Sequence, residues 1–114
     1  MRWEGDECGF KFKRLDAWKK AIEYTDATFD VADGLPQNYQ FSLGDQLRRA
    51  ALSIANNIAE GTGRDSPNEA RYFFGISKGS VYETVNILVI VGRRGHLDRE
   101  THHQHYRSAD EIAA

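Results

Sequence analysis

Between residues 15 and 33, in LDAWKKAIEYTDATFDVAD, the side chains Leu15, Trp18, Ile22, Phe29 and Ala32 fall on one row, with Thr25 among them. Spacing of three and four residues over about five turns predicts an amphipathic helix. Gly34 and Pro36 end it, the glycine as a C-terminal cap and the proline as a stop. A second row, Leu43, Leu47, Ala50/Ala51, Ile54 and Ile58, predicts a helix starting after QNYQF with Ser42 as N-cap and stopping at Gly61. Small residues at Ala50, Ala51, Ser53, Ala55 and Ala59 let neighbours come close to it.

A short GTGRD loop follows. Ser66-Pro67-Asn68-Glu69 then has the form of a helix start: a serine N-cap, proline at the first helical position and glutamate three residues on. The third helix is expected to run to about Arg94 and end at Gly95. SVYETVNILVIV is rich in β-branched residues and also reads as a buried strand. The upstream cap and the lack of a turn pair between Ser66 and Gly92 favour helix. Asp98 is positioned to cap a fourth helix with a weaker apolar stripe, RETHHQHYRSADEIAA. The fold class is therefore all-α, an antiparallel up-down four-helix bundle. An extension over residues 1–14 precedes one domain over 15–114. ILVIV at 87–91 is apolar around more than a full turn, so part of it calls for a further partner, and oligomerisation supplies one.

The composition changes this picture little. The 114 residues suit one domain, and 40% apolar with 28% charged residues is ordinary for a globular protein. A net charge of −2 advertises no global attraction to nucleic acid. The single Cys8 cannot form an internal disulfide and points to a reducing compartment. The N-terminus is too charged and broken for a signal peptide, and ILVIV is too short to cross a bilayer. A cytoplasmic protein with no membrane partner is expected.

Candidate chemistry is sparse. Gly75-Ile76-Ser77-Lys78-Gly79 matches the G-x-S-x-G of a serine nucleophile elbow, but an elbow needs a strand-turn-helix context and these residues lie inside a helical pattern. Read as G-x-x-x-G, the glycines flatten a face that also carries Tyr72, Tyr82 and Asn86. Each interior glycine costs roughly 1 kcal/mol relative to alanine, a loss that a closely approaching helix offsets. EGTGRDS lacks the lysine and the preceding strand of a phosphate loop. Asn56, Asn57 and Glu60 are expected to bond the loop and the start of the third helix. His96, His102, His103 and His105 crowd together without a further ligand to complete a zinc site. No enzyme, cofactor or metal is expected.

Basic residues are uneven. Residues 21–47 hold five acids and no Lys or Arg, whereas 48–107 hold nine Lys/Arg and six acids. Arg48, Arg49, Arg64, Arg71, Lys78, Arg93 and Arg94 are candidates for a nucleic-acid contact where helices two and three meet. The competing expectation is a solvated face paired with Glu60, Glu69 and Glu83.

LDAW, LPQNYQFSLGDQLRRAALSIANNIAEGTGR and FFGISKGSVYE together resemble the four-helix-bundle family of 23S ribosomal RNA intervening-sequence proteins, to which the accessory protein of diversity-generating retroelements is related. The resemblance runs from about Phe10 to Ile112. Its most specific parts are Gln46 to Gly61 and the element Gly79, Ser80 and Glu83. It implies an antiparallel four-helix protomer, a homopentameric barrel, and a packing role for Gly79, Ser80 and Glu83. The retroelement relative is strongly basic and binds nucleic acid and the reverse transcriptase, whereas this chain is slightly acidic. The family's fourth helix usually continues past DEIAA. A non-catalytic homo-oligomeric scaffold or adaptor is the first expectation, with Leu47, Ile54, Ile58, Gly75, Gly79, Ser80 and Glu83 as packing and assembly residues. A nucleic-acid accessory protein is the second; the partners are a further copy of the chain and either nucleic acid or another protein.

Overall fold

The computed structural model describes Phe12 and residues 15–113. The rest of the expected extension, with Cys8, lies outside the described residues. Four long helices form: α1 (Asp16–Asp33), α2 (Asp45–Thr62), α3 (Pro67–Arg93) and α4 (Arg99–Ala113). Among the described residues there is no strand, so SVYETVNILVIV is helical. The most extensive contact joins α2 to α3, followed by α1 with α2, α3 with α4, and α1 with α4.

The core is built on Leu47, Ile54, Val81, Leu88 and Val91, all almost completely enclosed. On α1 the buried row is Ala21, Tyr24, Thr25, Thr28 and Ala32. This shares Thr25 and Ala32 with the expected stripe and corrects the rest: Leu15 is exposed, Phe29 is half-buried, and Trp18 and Ile22 only lean on the core. Tyr24 joins the buried row because its hydroxyl is satisfied there, as is that of Thr25. Thr25 Oγ1 donates to the Ala21 carbonyl at 2.7 Å, and Tyr24 Oη lies 2.8 Å from Thr84 Oγ1. Thr84 spends its own hydrogen on the Val81 carbonyl at 2.6 Å, so Tyr24 is the donor of the pair. Burial raises the Tyr24 phenol above its ordinary value of 10.0.

Two expected boundaries differ. Residues 37–39 form a helical turn that passes into a π-helical segment at 40–44 before α2, so QNYQF is not a loop and Ser42 is no N-cap. Gln40 holds this segment: its Nε2 donates to the Leu35 carbonyl at 2.8 Å and the Ala32 carbonyl at 3.0 Å, while Oε1 accepts from Arg48 at 2.7 Å. Nor does Gly61 stop α2, which continues to Thr62 with Gly63 as its cap. A methyl at Gly61 would lie 2.6 Å from the Phe74 ring and 3.1 Å from the Ala70 carbonyl. At Gly61 α2 and α3 pack so closely that the residue has to be small.

The other two starts form as expected. Ser66 Oγ accepts from the Glu69 N–H at 3.4 Å, with Pro67 opening α3. Asp98 Oδ1 accepts from the Thr101 N–H at 2.7 Å at the head of α4. That hydrogen bond, then the one from the Thr101 hydroxyl, holds the Asp98 carboxyl below its ordinary range. Gly95, at φ 81°, makes the left-handed turn between α3 and α4. Although ILVIV is short, α3 as a whole is long and apolar enough to span a bilayer by composition; its buried row, which includes Val81, Leu88 and Val91, packs in the bundle instead.

Candidate functional site

Ser77 is the reference point for α3. It is 4% exposed and donates from Oγ to the Ile54 carbonyl at 2.8 Å. At 100° per residue, the opposite side of the helix carries Gly75 and Gly79, then Tyr72 and Tyr82, then Asn86. All five are exposed. A methyl added at Gly75 or Gly79 would meet no atom within 4 Å, so among the described residues nothing packs on the flattened surface. Val89 and Ile90 of the ILVIV run continue it, at 39% and 38% exposed, while Ile87, Leu88 and Val91 enter the core. Ser77 therefore sits mid-helix with its hydroxyl already committed to a carbonyl, without the exposed strand-turn-helix setting of an elbow.

The other expected packing residues separate into inner and outer groups. Leu47, Ile54 and Ile58 are core. Ser80 Oγ donates to Ser53 Oγ at 2.8 Å, tying α3 to α2. Asn57 joins the same polar seam, donating to the Ser53 carbonyl at 2.8 Å and its hydroxyl at 3.0 Å, and so bonds its own helix rather than the loop. Glu83 is exposed with no partner among the described residues.

The basic candidates do not gather where α2 meets α3. Arg48 is clamped to Asp33 at 2.8 Å, to Asp45 at 3.2 Å and to Gln40. Arg64 pairs with Glu60 at 2.7 Å and lies 4.6 Å from the Phe73 ring centroid. Arg71 donates to Asn68 at 2.7 Å. Arg49, Lys78, Arg93 and Arg94 are exposed and have no partner among the described residues. Along α3 alone, Arg71 and Arg93 stand about 33 Å apart at 1.5 Å per residue. Of the three glutamates expected to neutralise this set, Glu60 does so for Arg64; the others form no ion pair among the described residues.

The histidines also disperse. His105 is buried edge-on against Tyr24 at 5.9 Å, and His96 lies 5.3 Å from the Tyr39 ring. His105 Nδ1 is 2.9 Å from the Thr101 carbonyl, which can only accept, so Nδ1 carries a proton and Nε2 is enclosed without a partner. His103 is exposed. Among the described residues no three metal-binding side chains converge. A depression of about 880 Å³, open to solvent, lies at the α2–α3 turn between Phe12, Asn56 and the Glu60–Arg64 pair.

The model of the 23S rRNA-intervening sequence protein family matches residues 13–114, nearly the whole of the chain and all four helices. The chain belongs to that family. No curated protein is similar enough to serve as a nearer guide. In this member, the segment from Gln46 to Gly61 is α2 itself. Its small and polar positions are accounted for by contacts: Ser53 and Asn57 in the seam with Ser80, and Gly61 beneath Phe74. Gly75, Gly79 and Glu83 are left outward, without a contact that uses them among the described residues. Sequence reasoning missed Tyr24 and Gln40, and neither had a visible signal in the chain.

Proposed function

We propose that this chain is a non-catalytic, cytoplasmic, self-assembling bundle protein that acts as a scaffold or adaptor, with helices alternating in direction and copies joining through the open face of α3. The observation that carries the reading is the empty space over Gly75 and Gly79. Two interior glycines lower helix stability by roughly 1 kcal/mol each. The fold of one copy uses neither, and the flanking Tyr72 and Tyr82 offer rigid, amphipathic surface of the kind enriched at interfaces. The family resemblance implies five copies; composition and helix packing support self-association without fixing a number.

The test is the native mass and melting temperature of Gly79→Leu beside the unmodified protein. Leucine points into open space in the single copy, so the variant is expected to keep its helicity while its native mass falls. An unchanged mass and an unchanged melting temperature together sink the proposal.

A further inference from the structure

We propose that a second copy of this chain covers the open face of α3 with the outer ridge of its α2. The contact is head-to-tail: Leu52 of one copy lies over Gly79 of the next, and Arg49 lies beside Glu83. The inference rests on the assembly reading above and names the surface that meets the glycines.

At 100° per residue, Leu52, Asn56 and Arg49 fall within about 60° of one another on α2. All three are exposed and turned away from the buried Leu47, Ile54 and Ile58. Phe41, about three turns before Leu52, carries the ridge into the π-helical segment. Leu52 is 47% and Phe41 82% exposed, so two large apolar side chains stand in water on one ridge. The open face of α3 is the converse, a surface from which two glycines withhold side chains.

The contacts inside one copy set the register between copies. Gly61 meets Ala70, Ser77 bonds the Ile54 carbonyl and Ser80 bonds Ser53, so numbers fall along α2 as they rise along α3. Leu52 therefore stands level with Gly79. In a ring whose axis runs along the bundle, every copy keeps the same levels. Leu52 then arrives over Gly79 of the next copy. Arg49, about 4.5 Å along α2, arrives beside Glu83, about 6 Å along α3. Both are exposed, and neither has a partner among the described residues. The acids near the ridge, Asp45 and Glu60, are paired inside the copy with Arg48 and Arg64. Phe41, eleven residues before Leu52, arrives near Ile90, eleven after Gly79 and 38% exposed.

The helices that meet in this way are neighbours in the bundle, with α1 and α4 closing the other sides. Outward directions at neighbouring corners differ by roughly a right angle, so the repeated contact turns back on itself and closes a small ring. A contact of α3 with α3 would be two-fold, would stop at two copies and would leave Arg49 and Leu52 in water.

The experiment measures native mass against concentration for the full chain and its variants, with helicity and melting temperature read on each. Arg49→Glu and Glu83→Arg both set like charges together, and each should raise the concentration of half-assembly about tenfold or more. The chain carrying both changes should recover most of that loss. So should a mixture of the two single variants, which a pairing inside one copy does not achieve. These effects should shrink as salt rises, whereas Leu52→Ser should weaken assembly about fivefold or more at any salt. Lys78→Gln, on the other flank of α3, should stay within about twofold. A parent that is a single copy at every concentration, or that ignores Gly79→Leu, overturns this contact and the assembly reading together. A parent that assembles and responds to Gly79→Leu but ignores Arg49→Glu and Leu52→Ser overturns this contact alone. A two-copy parent does the same, as does a mixture of single variants that recovers nothing.

Discussion

At the residue scale, Gly61 and Tyr24 show how far a side chain's meaning depends on its neighbours. Gly61→Ala would gain about 1 kcal/mol of helix propensity, yet its methyl would press on a ring and, more stubbornly, on the Ala70 backbone carbonyl at 3.1 Å. Overpacking of this kind costs about 1–3 kcal/mol, so a net loss of about 1 kcal/mol is expected in thermal or urea unfolding. Tyr24 gives a pH signature. Its phenol titrates higher in the folded chain than in the unfolded one, so folding favours the protonated form. That contribution is complete below the ordinary value of 10.0 and is lost as pH rises from there through the raised value. Tyr24→Phe should cost about 1 kcal/mol at neutral pH, from the lost bond to Thr84, and should unfold with a shallower alkaline limb. An alkaline limb as steep as the parent's would rule out Tyr24 as its source. Neither residue's role was legible in the chain: Tyr24 fell outside the expected apolar row, and Gly61 read as punctuation.

At the element scale, the caps were the most readable features. Ser66-Pro67-Glu69 and Asp98 open α3 and α4 where local chemistry puts them, because a cap bonds backbone within three residues and needs nothing from the rest of the fold. Asp98→Ala is expected to lower the melting midpoint by a few degrees, while Asp98→Asn retains most of the cap. The lowered carboxyl value gives the sign. The charged cap's contribution is present above the ordinary carboxylate range and disappears as pH falls through the lowered value. Parent and Asp98→Ala midpoints should therefore converge in acid, and a constant gap down the pH series would refute the assignment. The π-helical entry to α2 had no such signal. It is held by Gln40 and Arg48 reaching back to the end of α1, contacts that no local pattern encodes.

At the scale of the whole molecule, apolar surface on α3 exceeds what one bundle encloses. Val89, Ile90, Tyr72 and Tyr82 remain outward around two glycines. The direction expected for Gly79→Leu follows from this. In a lone copy leucine would raise helix stability by about 1 kcal/mol, so a falling midpoint measures the assembly and not the helix. Charge is arranged on the same scale. Acids dominate residues 21–47, which hold no Lys or Arg, whereas residues 48–107 hold nine Lys/Arg and six acids, so a molecule of small net charge is unevenly charged along its length.

By itself the sequence determined the four helices, two of their caps, the core leucine and isoleucines of α2 and the family, because periodicity, capping and signature residues are properties of short stretches. Only the tertiary structure decided which face of α1 turns inward, since a tyrosine is buried there only once Thr84 is present to take its hydrogen. It also decided that the close approach of α2 and α3 is at Gly61 and not at Gly75 or Gly79. The clamp on Arg48 is tertiary too, since Asp33 and Gln40 reach it from outside its helix, whereas Arg64 and Arg71 are held by Glu60 and Asn68 about one turn away.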